Sequence, residues 1–265
     1  MKYSGIIHAH SRYSYDGKLM LPELKEVLQK RGMRFICLTE HTDKLTPEAA
    51  DSFVKECRAL SDEKFIFVPG FEVPYLRAHV LMFGATKFVS NFADATQLKE
   101  WAAGASFVVL AHPQRNKFIV DDVLESVLDG VEVWNQQYDG KLVPRWRSLQ
   151  LLYTLRRRKP GLVATGGLDF HRIEHLGAPV VTLELSTLTE ANILAALKSG
   201  ALTFGTTNVT VPGTGEWREG KTFSFKIRSI ASTTFIWFGK KVNATLAAFG
   251  FKLPKKLKEA IRSKI

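Results

Sequence analysis

Two cysteines in 265 residues leave no material for a disulfide framework. Cys37 stands in the apolar run Phe35-Ile36-Cys37-Leu38, so it reads as a buried free thiol. No apolar run approaches the roughly 18 residues that a membrane-spanning helix needs. The opening residues Met1–His8 have no long apolar stretch of the signal-peptide kind, so a cytoplasmic protein is expected. There is no internal repeat and no low-complexity segment. A uniform basic surface is also missing, although the formal net charge is +11. Residues 216–265 carry 12 Lys/Arg against 3 Asp/Glu, whereas residues 1–215 carry 25 against 23. The first four fifths is close to neutral, which excludes a chromatin-type binder and disfavours long nucleic acid as a partner. The charge belongs to an apolar-rich appendage.

What is present is an ordinary apolar share of 45%, enough to fill a sizeable core. Short β-rich runs alternate with helix-period segments. Strands are expected at 5–8, 35–39, 65–69, 80–84, 107–111, 130–133, 161–166 and 180–185, and helices at 21–31, 47–60, 94–103, 121–128, 143–157 and 189–199. Pro22 and Pro47 fall in first helical turns, Thr189 has the character of an N-cap, and Gly200 that of a C-terminal stop. Such alternation means a parallel sheet with helices outside, and seven or eight units in about 200 residues suit a closed barrel. The rhythm breaks near Phe204. We therefore expect a body over 1–205 and a basic extension over 206–265. That extension is read as a half-exposed strand at 222–227 followed by an amphipathic helix from Pro254, striped by Leu257, Ile261 and Ile265.

Seven histidines carry the chemistry. His8 and His10 close the first strand, and His41 follows the second in Leu38-Thr39-Glu40-His41-Thr42-Asp43. Glu72 follows the third in Gly70-Phe71-Glu72, His79 opens the fourth, and His112 ends the fifth in Ala111-His112-Pro113. Asp169 and His171 follow a later strand in Gly167-Leu168-Asp169-Phe170-His171, and Asp16 lies in the loop after His10. In an α/β barrel the C-terminal strand ends gather at one mouth. One such histidine is commonplace; a whole rim of imidazoles and carboxylates points to metal. Residues i and i+2 of a strand share a face, so His8 and His10 can ligate one ion, and Asp169 and His171 repeat the spacing. The mixed donor set suits Zn, Mn or Fe without deciding between them.

These ordered segments, together with Ser14-Tyr15-Asp16-Gly17-Lys18, resemble the PHP (polymerase and histidinol phosphatase) family over roughly residues 1–205. The resemblance implies a distorted (β/α)7 TIM-like barrel and a phosphoesterase site of two or three divalent ions. It implies that His8, His10, Glu72 and Asp169 hold one ion. Glu72 would bridge to a second, held also by His79 and His112, and Asp16, His41 and His171 would hold a third. A small-molecule phosphoester is the expected substrate, with a metal-bridging hydroxide as nucleophile. His41 or His171 could serve the leaving-group proton. Arg115 and Arg172, beside His112 and His171, are candidate phosphate clamps, with Arg12 and Lys18 as weaker candidates. His175 would share a face with His171 on a helix, and Trp134, Asn135 and Tyr138 would border the leaving group. The alternative reading is an amidohydrolase-type hydrolase of C–N or lactone bonds, which also begins with His-x-His; the central Glu72 and the Asp169-x-His171 pair stand against it. A reading of another class is a non-catalytic, metal-stabilised adaptor or nucleic-acid-associated module. For the C-terminal helix, docking on the body is preferred to contact with anionic lipid, which would make the protein peripheral at a membrane.

Overall fold

A computed structural model describes residues 1–85, 88, 94–216 and 222–248. In chain order the elements are β1 (Lys2–Ala9), α1 (Leu21–Gln29), β2 (Phe35–Leu38), β3 (Glu40–His41), α2 (Pro47–Leu60), β4 (Ile66–Val68), β5 (Gly70–Tyr75) and β6 (Ala78–Phe83). There follow α3 (Ala95–Ala103), β7 (Phe107–Ala111), α4 (Asp122–Val127), β8 (Gly130–Asn135), α5 (Gln136–Asp139), α6 (Trp146–Arg156) and β9 (Val163–Gly167). A 3₁₀ turn (Ile173–His175), β10 (Val180–Glu184), α7 (Glu190–Ser199), β11 (Leu202–Gly205), β12 (Thr210–Pro212) and α8 (Thr222–Ala248) complete it.

The chain forms an alternating β/α topology. One sheet has the order β12-β11-β10-β1-β2-β4 and the other β3-β5-β6-β7-β8-β9. Strand β2 runs into β3 across Thr39, and β4 into β5 across Pro69, so the same segments pass from one sheet to the other. On the opposite side the segment after β9 pairs with β1. Leu168 N donates to Ile7 O (3.2 Å), Phe170 N to His8 O (3.1 Å) and His10 N to Phe170 O (2.7 Å). The interior strands are buried along their whole length: Phe35-Ile36-Cys37-Leu38 and Phe107-Val108-Val109-Leu110-Ala111 expose almost nothing. Helices cover them with single apolar faces, such as Leu21, Leu24 and Leu28 of α1 or Ala50, Phe53, Val54 and Cys57 of α2. Both cysteines are free and buried, Cys37 as its apolar run indicated. Thr189 caps α7 by accepting from Asn192 N at 3.2 Å, and Gly200 closes it at φ 75°.

Two expectations are corrected. The sheet is not all parallel: β6 runs antiparallel to both β5 and β7, and β10 antiparallel to β1. Only Leu76 and Arg77 separate β5 from β6, and a parallel crossover needs a dozen residues or more. The strand expected at 222–227 is the first part of the helix α8. Six alternating residues are too few to separate the two periods. What decides is that Phe225, Ser229 and Ser232 recur at helical spacing and dock on the body. Ser229 Oγ accepts from Trp146 N (2.8 Å), and Ser232 Oγ donates to Asp139 O (3.3 Å). The hairpin of β11 and β12 crosses the expected 205/206 boundary. The helix expected from Pro254, with its lipid contact, lies outside the described residues.

Candidate metal centre

Strand-end geometry builds the site. His8, His112 and Asp169 are non-glycine residues at positive φ (58°, 24° and 49°), and the register of β1 on β2 shifts between Ile7 and Ala9. These turns swing the side chains at the ends of β1 and β7, and past β9, into one mouth, where such backbone strain is commonly stored. His79 comes from the start of β6. Because β6 is antiparallel, its beginning lies beside the ends of its neighbours, paired with Ala111.

Three overlapping groups place one donor atom per residue within 4.8 Å of one another: His8, His10, Glu72 and Asp169; Glu72, His79 and His112; and His10, His41 and His171. Glu72 is the hub. His8 Nε2 (3.3 Å), His10 Nε2 (3.2 Å), His41 Nδ1 (3.4 Å), His112 Nε2 (3.0 Å) and His79 Nδ1 all face its carboxylate. Asp169 Oδ1 lies 3.5 Å from both His8 Nε2 and His10 Nε2. Asp16 faces the third group, with Oδ2 at 3.1 Å from His171 Nε2 and 3.6 Å from His41 Nε2. His8 and His10 meet at Glu72 although β1 ends at Ala9 and its register shifts at His8, and every residue that the sequence singled out as a ligand lies in this mouth.

The donors fit divalent cations. His8, His10 and Glu72 are almost fully buried, and His10 Nε2, Asp16 Oδ1 and His112 Nδ1 are buried with no hydrogen-bond partner. Five imidazoles cannot all be satisfied by one carboxylate, and orphaned buried polar atoms are costly. Cations among these lone pairs remove the conflict. Protons do so partially. Burial opposes a charge on His8, yet Glu132, Glu72 and Asp169 hold its pKa well above the ordinary imidazole value. Burial likewise opposes charge on His10, but Asp169 and Glu72 raise it to about 9. Burial would push Glu72 up, and the surrounding histidines hold it well below the usual carboxylate range. Asp169 behaves in the same way, against His8 and His10, and so does Asp16, against His171 and His41. Nitrogen and oxygen donors without thiolate suit Zn, Mn or Fe.

A further layer aims the ligands, and the sequence reading missed it. Glu132, 1% exposed, accepts from His8 Nδ1 (2.8 Å), which leaves Nε2 facing the hub. Buried Glu40 accepts from Ser14 Oγ (2.5 Å) and Ser11 Oγ (2.6 Å). Ser14 Oγ then accepts from His41 N (2.9 Å) and lies 3.3 Å from His10 Nδ1, which puts the His10 proton on Nδ1. The available signal was a charged residue inside the apolar strand run Gly130-Val131-Glu132-Val133. His171 Nδ1 donates to Asp169 O (2.8 Å), which leaves its Nε2 facing Asp16.

A cavity of about 250 Å³ opens over the cluster, with buried Glu72, His112 and Asp169 in its floor and exposed Tyr15 and Arg115 at its rim. Tyr138 lines it too, where the Arg115 charge partly offsets the rise that burial gives its hydroxyl pKa. Arg12, Lys18 and Arg172 are exposed and do not line it. Trp134 and Asn135 pack beneath: Trp134 Nε1 donates to Gly140 O (2.8 Å), and Asn135 Nδ2 to Glu132 (2.9 Å). His175, in the 3₁₀ turn, accepts from His171 N (3.2 Å), and burial and the nearby His171 charge lower its pKa to about 4. It belongs to none of the ligand groups.

Comparison with known proteins gives a match of residues 7–154 to the PHP domain model, more than half of the chain. This chain belongs to the PHP domain family. A Thermotoga maritima protein named "Probable histidinol-phosphatase" is 24% identical to this PHP protein over 204 residues, 64% of this chain and 85% of that one. Among solved structures, PsfC from Pseudomonas syringae PB-5123 aligns at TM-score 0.52 and 16% identity, covering 73% of this chain and 88% of that one. That likeness speaks to fold alone. An amidohydrolase from Chromobacterium violaceum aligns at TM-score 0.43 and 16% identity, over 77% of this chain and 98% of that one. A similarity that low carries no argument about the reaction of the PHP site.

Proposed function

We propose that this PHP protein hydrolyses a small-molecule phosphoester in the cavity over Glu72. The observation that carries the reading is one buried carboxylate shared by two of three overlapping ligand groups, under a cavity rimmed by a single arginine. His8, His10, Glu72 and Asp169 would hold one ion, and Glu72, His79 and His112 a second. His41 and His171, with Asp16 and His10 against them, would hold a third. Ions bound there would lower the pKa of a water from 15.7 toward roughly 7 and would neutralise phosphoryl oxygens.

The remaining work falls to the chain itself. Arg115 meets the phosphate with its guanidinium fork, at a rim it shares with Tyr138. Glu132 and the Glu40–Ser14 pair keep His8 and His10 in one tautomer. Asp16 and His171, facing each other at 3.1 Å beside the cavity, would hold an ion on the side of the departing oxygen. Tyr15, stacked on His41 at 5.2 Å with Lys44 over its ring, borders the leaving group. We place the catalytic unit in residues 1–205 and read the two sheets as a distorted (β/α)7 barrel. The hydrogen bonds between residues 168–170 and β1 support that closure.

The test is a phosphoester panel with metal reconstitution, spanning sugar phosphates, nucleotides, histidinol phosphate (suggested by the Thermotoga relative's name) and short oligonucleotides. Mn-, Zn- or Fe-dependent turnover of small monoesters, abolished in Glu72→Ala and Asp169→Ala, is expected. No turnover under any metal, or wild-type rates in both variants, overturns the reading.

A further inference from the structure

We propose that α8 is a membrane-surface helix, which lays its outward face on anionic lipid while the PHP body hangs from its other side. This goes beyond the phosphoesterase reading and does not depend on it.

The argument begins with what α8 buries. Among the described side chains its contacts with the body come from Phe225, Ser229 and Ser232, at i, i+4 and i+7, and from Lys226, whose Nζ lies 5.8 Å from the centre of the Trp146 ring, a narrow stripe near its N-terminal half. Phe225 meets Trp146 with ring centroids 6.0 Å apart. The opposite arc is apolar and open to solvent: Ile227 is 52% exposed, Ile230 51%, Phe235 56%, Trp237 57% and Phe238 60%. Isolated exposed apolar residues are normal in globular proteins, whereas a contiguous row of this kind marks a contact surface.

Charge identifies what covers it. Between Thr222 and Ala248 there is no Asp or Glu, while Lys226, Arg228, Lys240 and Lys241 are all present. Exposed Arg228 borders the apolar arc, and Lys241 sits over the Trp237 ring at 4.7 Å. The 50 residues from Glu216 onward add to the same sign of charge. An apolar face bordered only by cations matches a layer of acyl chains under anionic headgroups. It matches a second copy of itself poorly, because two such faces would bring like charges together. Aromatic side chains with one apolar and one polar aspect favour that boundary. At 1.5 Å per residue α8 is about 40 Å long. Length would let it span a bilayer, but among the described residues no helix is apolar enough to do so. The remaining geometry is in the plane of the surface.

The test uses the full chain and vesicle co-sedimentation. We expect binding to vesicles of mixed phosphatidylcholine and phosphatidylglycerol and little to pure phosphatidylcholine. Replacing Phe235, Trp237 and Phe238 together by Gln keeps helix propensity and removes no buried contact; it should weaken binding roughly tenfold or more. Arg228→Glu with Lys241→Glu should abolish the preference for the anionic lipid, and circular dichroism checks the fold of each variant. Equal binding to both vesicle types overturns the proposal. So does full binding by the triple variant, which would assign attachment to charge elsewhere. A dimer in sedimentation equilibrium that the triple variant dissolves, with no vesicle binding, would assign the face to a second copy and overturns it as well.

Discussion

Glu132 accepts three hydrogen bonds, from His8 Nδ1, the His112 amide and Asn135 Nδ2, so one carboxylate orients a ligand on β1 and the backbone at the end of β7. Removing such an outer partner usually costs about 10–100-fold in metal affinity. Glu132→Gln should reproduce that loss in chelator competition while Arg115 and the cavity stay in place; unchanged affinity would remove Glu132 from the site. His10 supplies a pH prediction. Its pKa of about 9 lies above the ordinary 6.5. A raised histidine contributes stability fully below about 6.5, and that contribution disappears as pH rises through about 9. The metal-free melting temperature should therefore fall across this window, and a flat profile would contradict the assignment. Metal loading near neutral pH must displace the same proton, which calorimetry in buffers of different ionisation enthalpy measures as proton release.

Among the elements, β9 shows how closely backbone and site are coupled. A Cβ added at Gly167 would lie 2.0 Å from Glu132 Oε1 and 2.8 Å from His8 Cβ. The carboxylate cannot step aside without losing its three donors. Gly167→Ala should therefore lower both the melting temperature and metal affinity, whereas Glu132→Gln should mainly lower affinity. Wild-type affinity in Gly167→Ala would show that the contact relaxes freely. Element positions were largely legible in the sequence, since α2, β7 and the Thr189 cap of α7 begin where the pattern places them. Strand direction was not. Leu76 and Arg77, between β5 and β6, carry none of the Gly or Asn that marks a tight hairpin; the expected strand began at Val80, and Glu72 was read as following a strand that ended at residue 69, whereas it lies in the middle of β5.

The whole molecule gathers donors from β1, β3, β5, β6, β7 and the segment after β9, so ions bound there tie most of the fold together. A ligand at about 100 times its dissociation constant stabilises by roughly 2.7 kcal/mol. For a chain of this size that corresponds to about 5–10 °C. Chelation should lower the melting temperature by that amount, and re-addition of Mn, Zn or Fe should restore it. Equal melting with and without chelator would mean that the cluster holds no structural ion.

The sequence by itself determined which donors exist and their order. His8, His10, His41, His79, His112, Asp169 and His171 stand at or just past strand ends, where the apolar runs stop, and Glu72 stands within β5. Tertiary structure alone decided that Glu72 is the hub, that antiparallel β6 delivers His79, and that Glu132 and Glu40 aim the imidazoles. Those facts depend on pairing between strands far apart in the chain, which local periodicity does not encode. The same holds at 222–227, where an alternating pattern became a helix because the docked face of α8, and not its local alternation, found a partner on α5 and α6.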